Sequence, residues 1–278
     1  MDILLHHQVA NTGALVEDSK LVIKGNDISA VGAIRFGGAS VELVFENNNV
    51  DNRIYSNGIE RGRLTVAGNN VVFTKPIGHD GMNLFSISAL QIENNKTATL
   101  KSDIYSNDIV LGQNSKLIID SSKQNIDVWS GVASNNPGDD HGIVEVKGKN
   151  AVIFRKSVGL QDFRVAEIKI GNENKAEFKQ NVYAKKITVA SNDVEFQEKL
   201  DMTQYNQDNR GNRTNLIHTG NLEFTNRGKV KFNKDLIGNI TTSKAGQGEV
   251  TFVNTSNIYE VSAVNKRIEK LTFTESCS

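Results

Sequence analysis

Cysteine is almost missing from this chain: among 278 residues the only one is Cys277. A lone thiol cannot staple a fold from within, so stability has to come from packing and hydrogen bonds. Proline is nearly as scarce, with two residues, so little interrupts backbone hydrogen bonding. An excess of either charge is lacking too, since Lys plus Arg and Asp plus Glu are 32 each. A neutral chain has no electrostatic footprint for duplex nucleic acid or an anionic membrane, and neither is expected as a partner. No apolar run is long enough to cross a bilayer. Met1 to His7 has no basic stretch and no sustained apolar core, so it does not read as a signal peptide. Sustained i, i+3, i+4, i+7 periodicity is also absent, which predicts very little helix.

What the chain does contain is asparagine, 33 residues, and glycine, 23 residues. Both tolerate left-handed backbone at tight turns. Between the turns stand short groups with apolar residues two apart, such as Leu64-Thr-Val66, Val71-Val-Phe73, Leu90-Gln-Ile92, Val144-Glu-Val146 and Leu222-Glu-Phe224. That period places side chains on one side of a strand. Many such groups at close spacing predict an all-β chain.

The groups also repeat. The text from Leu90 to Leu111 recurs from Ile168 to Val189 without a gap, at an offset of 78 residues. Tyr105 falls on Tyr183 and Lys101 on Lys179, which predicts matched packing positions for the two tyrosines. Upstream, Gly62-Arg-Leu64-Thr-Val66 resembles Gly142-Ile-Val144-Glu-Val146. A shorter unit appears in Gly228-Lys-Val230-Lys-Phe232 and Gly248-Glu-Val250-Thr-Phe252, 20 residues apart. A unit of this size cannot bury its own apolar side, whereas stacking units buries it continuously. The expected fold is therefore a β-solenoid, a parallel β-helix of roughly a dozen irregular coils, with the long repeat spanning roughly four of them. An antiparallel sandwich or barrel is the alternative, and few hairpin signals support it.

This reading gives an irregular segment at 1–20, one solenoid domain at 21–275 and a tail at 276–278. Two polar stretches break the rhythm, 121–141 and 201–215, and are expected to leave the array. Excursions from a solenoid are where binding surfaces gather. The first contains Trp129, the second Tyr205, Arg210 and Arg213, and Trp, Tyr and Arg are favoured interface anchors. These four are the candidate binding residues, with Trp129 folded back on the rod as the plainer alternative for that residue.

Asp139-Asp140-His141 is the one cluster with a catalytic flavour, since paired carboxylates cleave glycosidic bonds. A solvated turn before the Val144 strand is its plainer reading. The other histidines (His6, His7, His79, His218) are scattered and fit no metal-ligand spacing. No Gly-x-x-x-x-Gly-Lys loop and no Gly-x-Ser-x-Gly elbow occurs. No cofactor and no metal is expected.

The Gly-x-Val-x-Phe units at Gly228 and Gly248, with the Gly62–Phe73 and Gly142–Phe154 stretches, resemble the passenger region of bacterial autotransporters, in particular rickettsial-type surface antigens. The likeness spans most of residues 20–275 by style. It implies a right-handed parallel β-helix displayed at a bacterial surface and used as an adhesin or antigen, with host or neighbouring-cell protein or glycan as partner. An export signal and a membrane β-barrel would belong to the intact protein, so a fragment is expected, at the cell surface or extracellular if the protein is intact. A polysaccharide-cleaving enzyme on the same fold, a structural spacer, and the remnant of a split gene are the alternatives. Uncapped solenoid ends predict self-association.

Overall fold

A computed structural model describes residues 3–5, 20–24, 33–37, 40–46, 49–56, 58–78, 85–137, 141–207, 213–217, 220–254, 260–261 and 266–274; for 3–5, 204–207, 213–217 and 260–261 it describes the backbone alone. Every helix or strand among them is a strand. The chain winds through three faces, and each face pairs in parallel with the same face of the next turn. The fold is a parallel β-solenoid.

The first face starts with Lys20–Lys24, Glu42–Glu46 and Arg63–Val66. It continues through residues 89–92, 108–111 and 131–134. The second runs from Asn49–Val50 and Val71–Phe73 through Thr97–Leu100, Lys116–Asp120, His141–Lys147, Val165–Ile170, residues 186–189 and Asn221–Phe224 to Asn239–Thr242 and Glu260–Val261. The third face carries the longest unbroken register. Ile3, Ile34, Ile54, Ile77, Ile104 and Val128 follow one another, then Phe154, Phe178, Phe196, Phe232, Phe252 and Phe273. The expected dozen coils correspond to these rungs. Ile3–Leu5 belongs to the array, although residues 1–20 show no period in sequence.

The alternating text dictates this arrangement. Ala151–Phe154, Asp193–Phe196 and Glu249–Phe252 each bury their second and fourth residues. Parallel rungs lie about 4.8 Å apart, and the rings of Phe154, Phe178 and Phe196 follow at centroid separations of 4.8 Å, with planes 2° and 4° from parallel. The stack goes on through Phe232 and Phe252 at 5.3 Å and ends at Phe273 at 5.4 Å. Burial supplies most of its stabilisation, on the order of 1.5–3 kcal/mol per ring, with stacking adding about 0.5–1.5 kcal/mol per pair.

The long repeat has an unexpected geometry. Leu90 lies on the first face and Ile168 on the second. Ala98, in the turn of Leu90, leads through Leu117 and Val144 to Ile168. The offset is therefore three turns plus one face, and the expectation of four coils is corrected. Corner chemistry explains how the text survives this rotation. Phe73-Thr-Lys-Pro-Ile77-Gly78 leads from the second face to the third, and Phe154-Arg-Lys-Ser-Val158-Gly159 from the third to the first. Both glycines have φ of 77°. A Cβ there would stand 1.9 Å from the Tyr105 carbonyl oxygen at Gly78 and 2.0 Å from that of Tyr183 at Gly159. A motif that turns any corner can recur at any corner.

Residues 121–141 do not form the expected excursion. Ile126–Ser134 runs along the third face, turns the corner and joins the first. Its inward positions include Ser130 and Ser134, which hide the period. Ser130 Oγ meets Ser106 Oγ of the previous rung at 2.7 Å, and Ser134 Oγ donates to the Asn136 carbonyl at 2.9 Å, so the polar atoms are satisfied inside. The stretch at 201–215 does leave the array. Gln204–Gln207 pairs antiparallel with Arg213–Ile217 in a separate hairpin.

Phe196→Ala should destabilise the protein by about 3–5 kcal/mol through an unfilled site in the stack. Phe273→Ala, at a position 62% exposed, should cost under about 1 kcal/mol. Urea unfolding of both variants checks the pair. Gly159→Ala should cost more than about 1 kcal/mol in the same assay, from strain at positive φ and the blocked Tyr183 carbonyl.

Candidate functional site

Trp129 projects outward from the third face, next to Val128, and is 41% exposed. The register places Tyr105 on the rung before it. The two rings lie 6.3 Å apart with planes 13° from parallel. On the other side the Arg155 guanidinium sits 5.2 Å from the Trp129 ring centroid. Arg155 Nε donates to Asp127 Oδ1 at 2.8 Å, which holds the cation in place. Such a contact contributes about 0.5–1 kcal/mol at an exposed position. Trp129 is thus neither on a loop nor folded under one; it is one step of an outward ladder. Burial, followed by the charges of Asp103 and Asp127, pushes the Tyr105 hydroxyl above its ordinary range against the opposing Arg155.

Tyr183, the repeat counterpart, projects from the first face instead and meets charges. Lys199 and Arg164 lie 5.3 and 5.6 Å from its ring centroid. Asp201 is its partner on the next rung. Arg164 and Asp201 form a buried ion pair, with Nη2 to Oδ1 at 3.2 Å. Burial acts to raise the Asp201 carboxyl, but hydrogen bonds from Thr203 and the charges of Arg164 and Lys199 outweigh it and hold the group below its ordinary value. A depressed carboxylate contributes stability above its unfolded value of 3.8 and loses it as pH falls through the folded one.

Other charges pair across rungs. Glu145 meets Lys116 of the previous rung as well as Lys147 of its own strand, and Lys186 lies between Glu167 and Glu223 of the rungs on either side. Opposite charges on facing positions of a ladder favour the native register, and like charges oppose it. The equal numbers of the two signs thus have local counterparts in the fold.

The expected binding residues do not converge. Tyr205 and Arg213 lie on the two strands of the hairpin, which the array meets between Leu200–Asp201 and Asn221–Phe224; Arg210 lies outside the described residues. Trp129 is on a different face. Of the cluster weighed for catalysis, Asp139 and Asp140 lie outside the described residues. His141 opens a second-face strand with its Nδ1 2.9 Å from Asn135 Oδ1. Among the described residues no group of three His, Cys, Asp or Glu could hold a metal ion. No helix there is long and apolar enough to cross a membrane. Sequence reasoning missed Arg164 and Asp201. The available signal was a charge directly after Leu200 where a strand was entering the core.

Comparison with protein families, with curated proteins and with solved structures finds no match to the chain.

Asp201→Asn should lower stability at neutral pH. Urea midpoints of this variant and the parent should converge as pH falls below 3.8 and on through the depressed folded value, where the parent's carboxylate takes up its proton. A constant gap between the two down to acid pH would contradict the assignment.

Proposed function

We propose that the chain is a non-enzymatic, surface-displayed β-solenoid, a passenger fragment of an autotransporter-like adhesin or surface antigen. Its partners are host or neighbouring-cell proteins or glycans. The observation that carries this reading is the hairpin of Gln204–Gln207 and Arg213–Ile217, an antiparallel insert in an otherwise parallel array. A regular solenoid presents its side chains at the pitch of its rungs. An insert breaks that pitch and offers an independently shaped contact surface. The outward ladder of Tyr105, Trp129 and Arg155 adds a second rigid, aromatic and cationic contact. The Gly-x-Val-x-Phe units support the passenger likeness through the same residues that build the stacked core, Val230, Phe232, Val250 and Phe252.

Replacing residues 204–217 by a short Gly-Ser turn should reduce binding of the fluorescently labelled protein to cell layers and glycan arrays by about tenfold or more, with the solenoid still folded by circular dichroism. Trp129→Ala should weaken binding less. Undiminished binding of the hairpin replacement would remove the contact role.

A further inference from the structure

The strap at residues 158–165 and the root of the hairpin meet at one buried ion pair. Val158 stays in register with Val182, which pairs in turn with the rung of Leu200. After Gly159 the strap closes on itself through two backbone hydrogen bonds between Leu160 and Phe163, both 3.1 Å. That turn brings the Arg164 guanidinium over the Tyr183 ring. Beyond the ring it reaches Asp201, on the rung that follows Tyr183. Arg164 Nη1 donates to the Asp201 carbonyl at 2.9 Å and to Oδ1 at 3.3 Å; Nη2 donates to the same Oδ1 at 3.2 Å. Nε is held by the Gln161 carbonyl of the strap at 3.2 Å. Arg164 is 5% exposed and Asp201 7%, so neither charge has much water to replace a lost partner.

The same carboxylate oxygen accepts the Thr203 backbone N–H at 2.9 Å. Thr203 is the last residue before the hairpin strand Gln204–Gln207. The returning leg enters at Gly220, where a Cβ would stand 2.2 Å from the Met202 carbonyl. Both legs are therefore packed around residues 201–203. We infer that Arg164 is a positioning residue for the hairpin: acting through Asp201, it couples the strap to the hairpin root and makes the two one cooperative unit. The consequence for binding rests on the contact role proposed for the hairpin, whereas the coupling itself needs no ligand.

Hydrogen exchange on the full chain, read by peptide mass spectrometry, tests it. In Arg164→Gln, amides of Gln204–Gln207, Arg213–Ile217 and the strap should exchange about tenfold faster or more, because Asp201 loses the three guanidinium hydrogen bonds and its buried carboxylate keeps only Lys199, at 3.3 Å, as a cation. Amides of Lys175–Phe178 and Lys229–Phe232 should keep their parental rates. Arg164→Lys should restore part of the protection. A faster strap with an unchanged hairpin would overturn the inference, since the pair would then be local to the strap. Uniform acceleration across all rungs would overturn it as well, by reducing the pair to a general stabiliser. Loss of cell binding on hairpin replacement is read separately, so either reading can fail without the other.

Discussion

The column of side chains on the third face sets the terms for the rest of the solenoid. Six phenylalanine rings follow one another from Phe154 to Phe273, one per rung. A slip of one residue in the strand of Phe178, Phe196 or Phe232 would turn its ring outward and bring the preceding charged residue in. Glu177, Glu195 and Lys231 are those residues, so each slip would bury a charge. In the earlier turns the same column holds Ile34, Ile54, Ile77, Ile104 and Val128, and aromatic volume arrives from elsewhere. Phe45 of the first face meets Phe73 of the second edge-on at 5.6 Å. The third face therefore changes from aliphatic to aromatic at the rung of Phe154, where the Arg155 and Trp129 contact also sits.

The rotated repeat follows from that packing. Three faces built alike, each with two inward side chains per short strand, impose the same demand on any segment. Glycine at the corner, as at Gly78 and Gly159, satisfies the close carbonyl whichever faces it joins. What rotation changes is the outward environment. Tyr105 acquires Trp129 on the next rung, and Tyr183 acquires Asp201. One text has thus come to support an exposed aromatic ladder in one place and a buried ion pair in another.

Alternation and turn residues made the solenoid readable in the chain, because the period of two and the Asn-Gly punctuation are local. Asparagine works as the composition implied at Asn95 and Asn114, which turn with φ of 59° and 53°, and it adds side-chain acceptors: Asn94 Oδ1 accepts the Gln113 N–H and Asn125 Oδ1 the Ala151 N–H, each from an adjacent coil. The strand Ile126–Ser134 was not readable, because Ser130 and Ser134 occupy core positions and are satisfied only by groups that folding supplies. The face advance was hidden for a similar reason; an offset in residues does not state how many belong to each turn. The hairpin showed itself through polarity, whereas Arg164 and Asp201, 37 residues apart, become neighbours only through two successive rung pairings, Val158 with Val182 and Val182 with Leu200.

Resonance-assigned NMR with selectively labelled phenylalanine rings measures the central column most directly. Ring-to-ring cross-peaks should join Phe154 to Phe178, Phe178 to Phe196, Phe196 to Phe232 and Phe232 to Phe252, pairs whose centroids lie 4.8 to 5.3 Å apart. No cross-peak should join rings two rungs apart, such as Phe154 and Phe196. Missing neighbour contacts, or contacts between alternate rings, would contradict a single in-register stack and with it the winding of the whole chain.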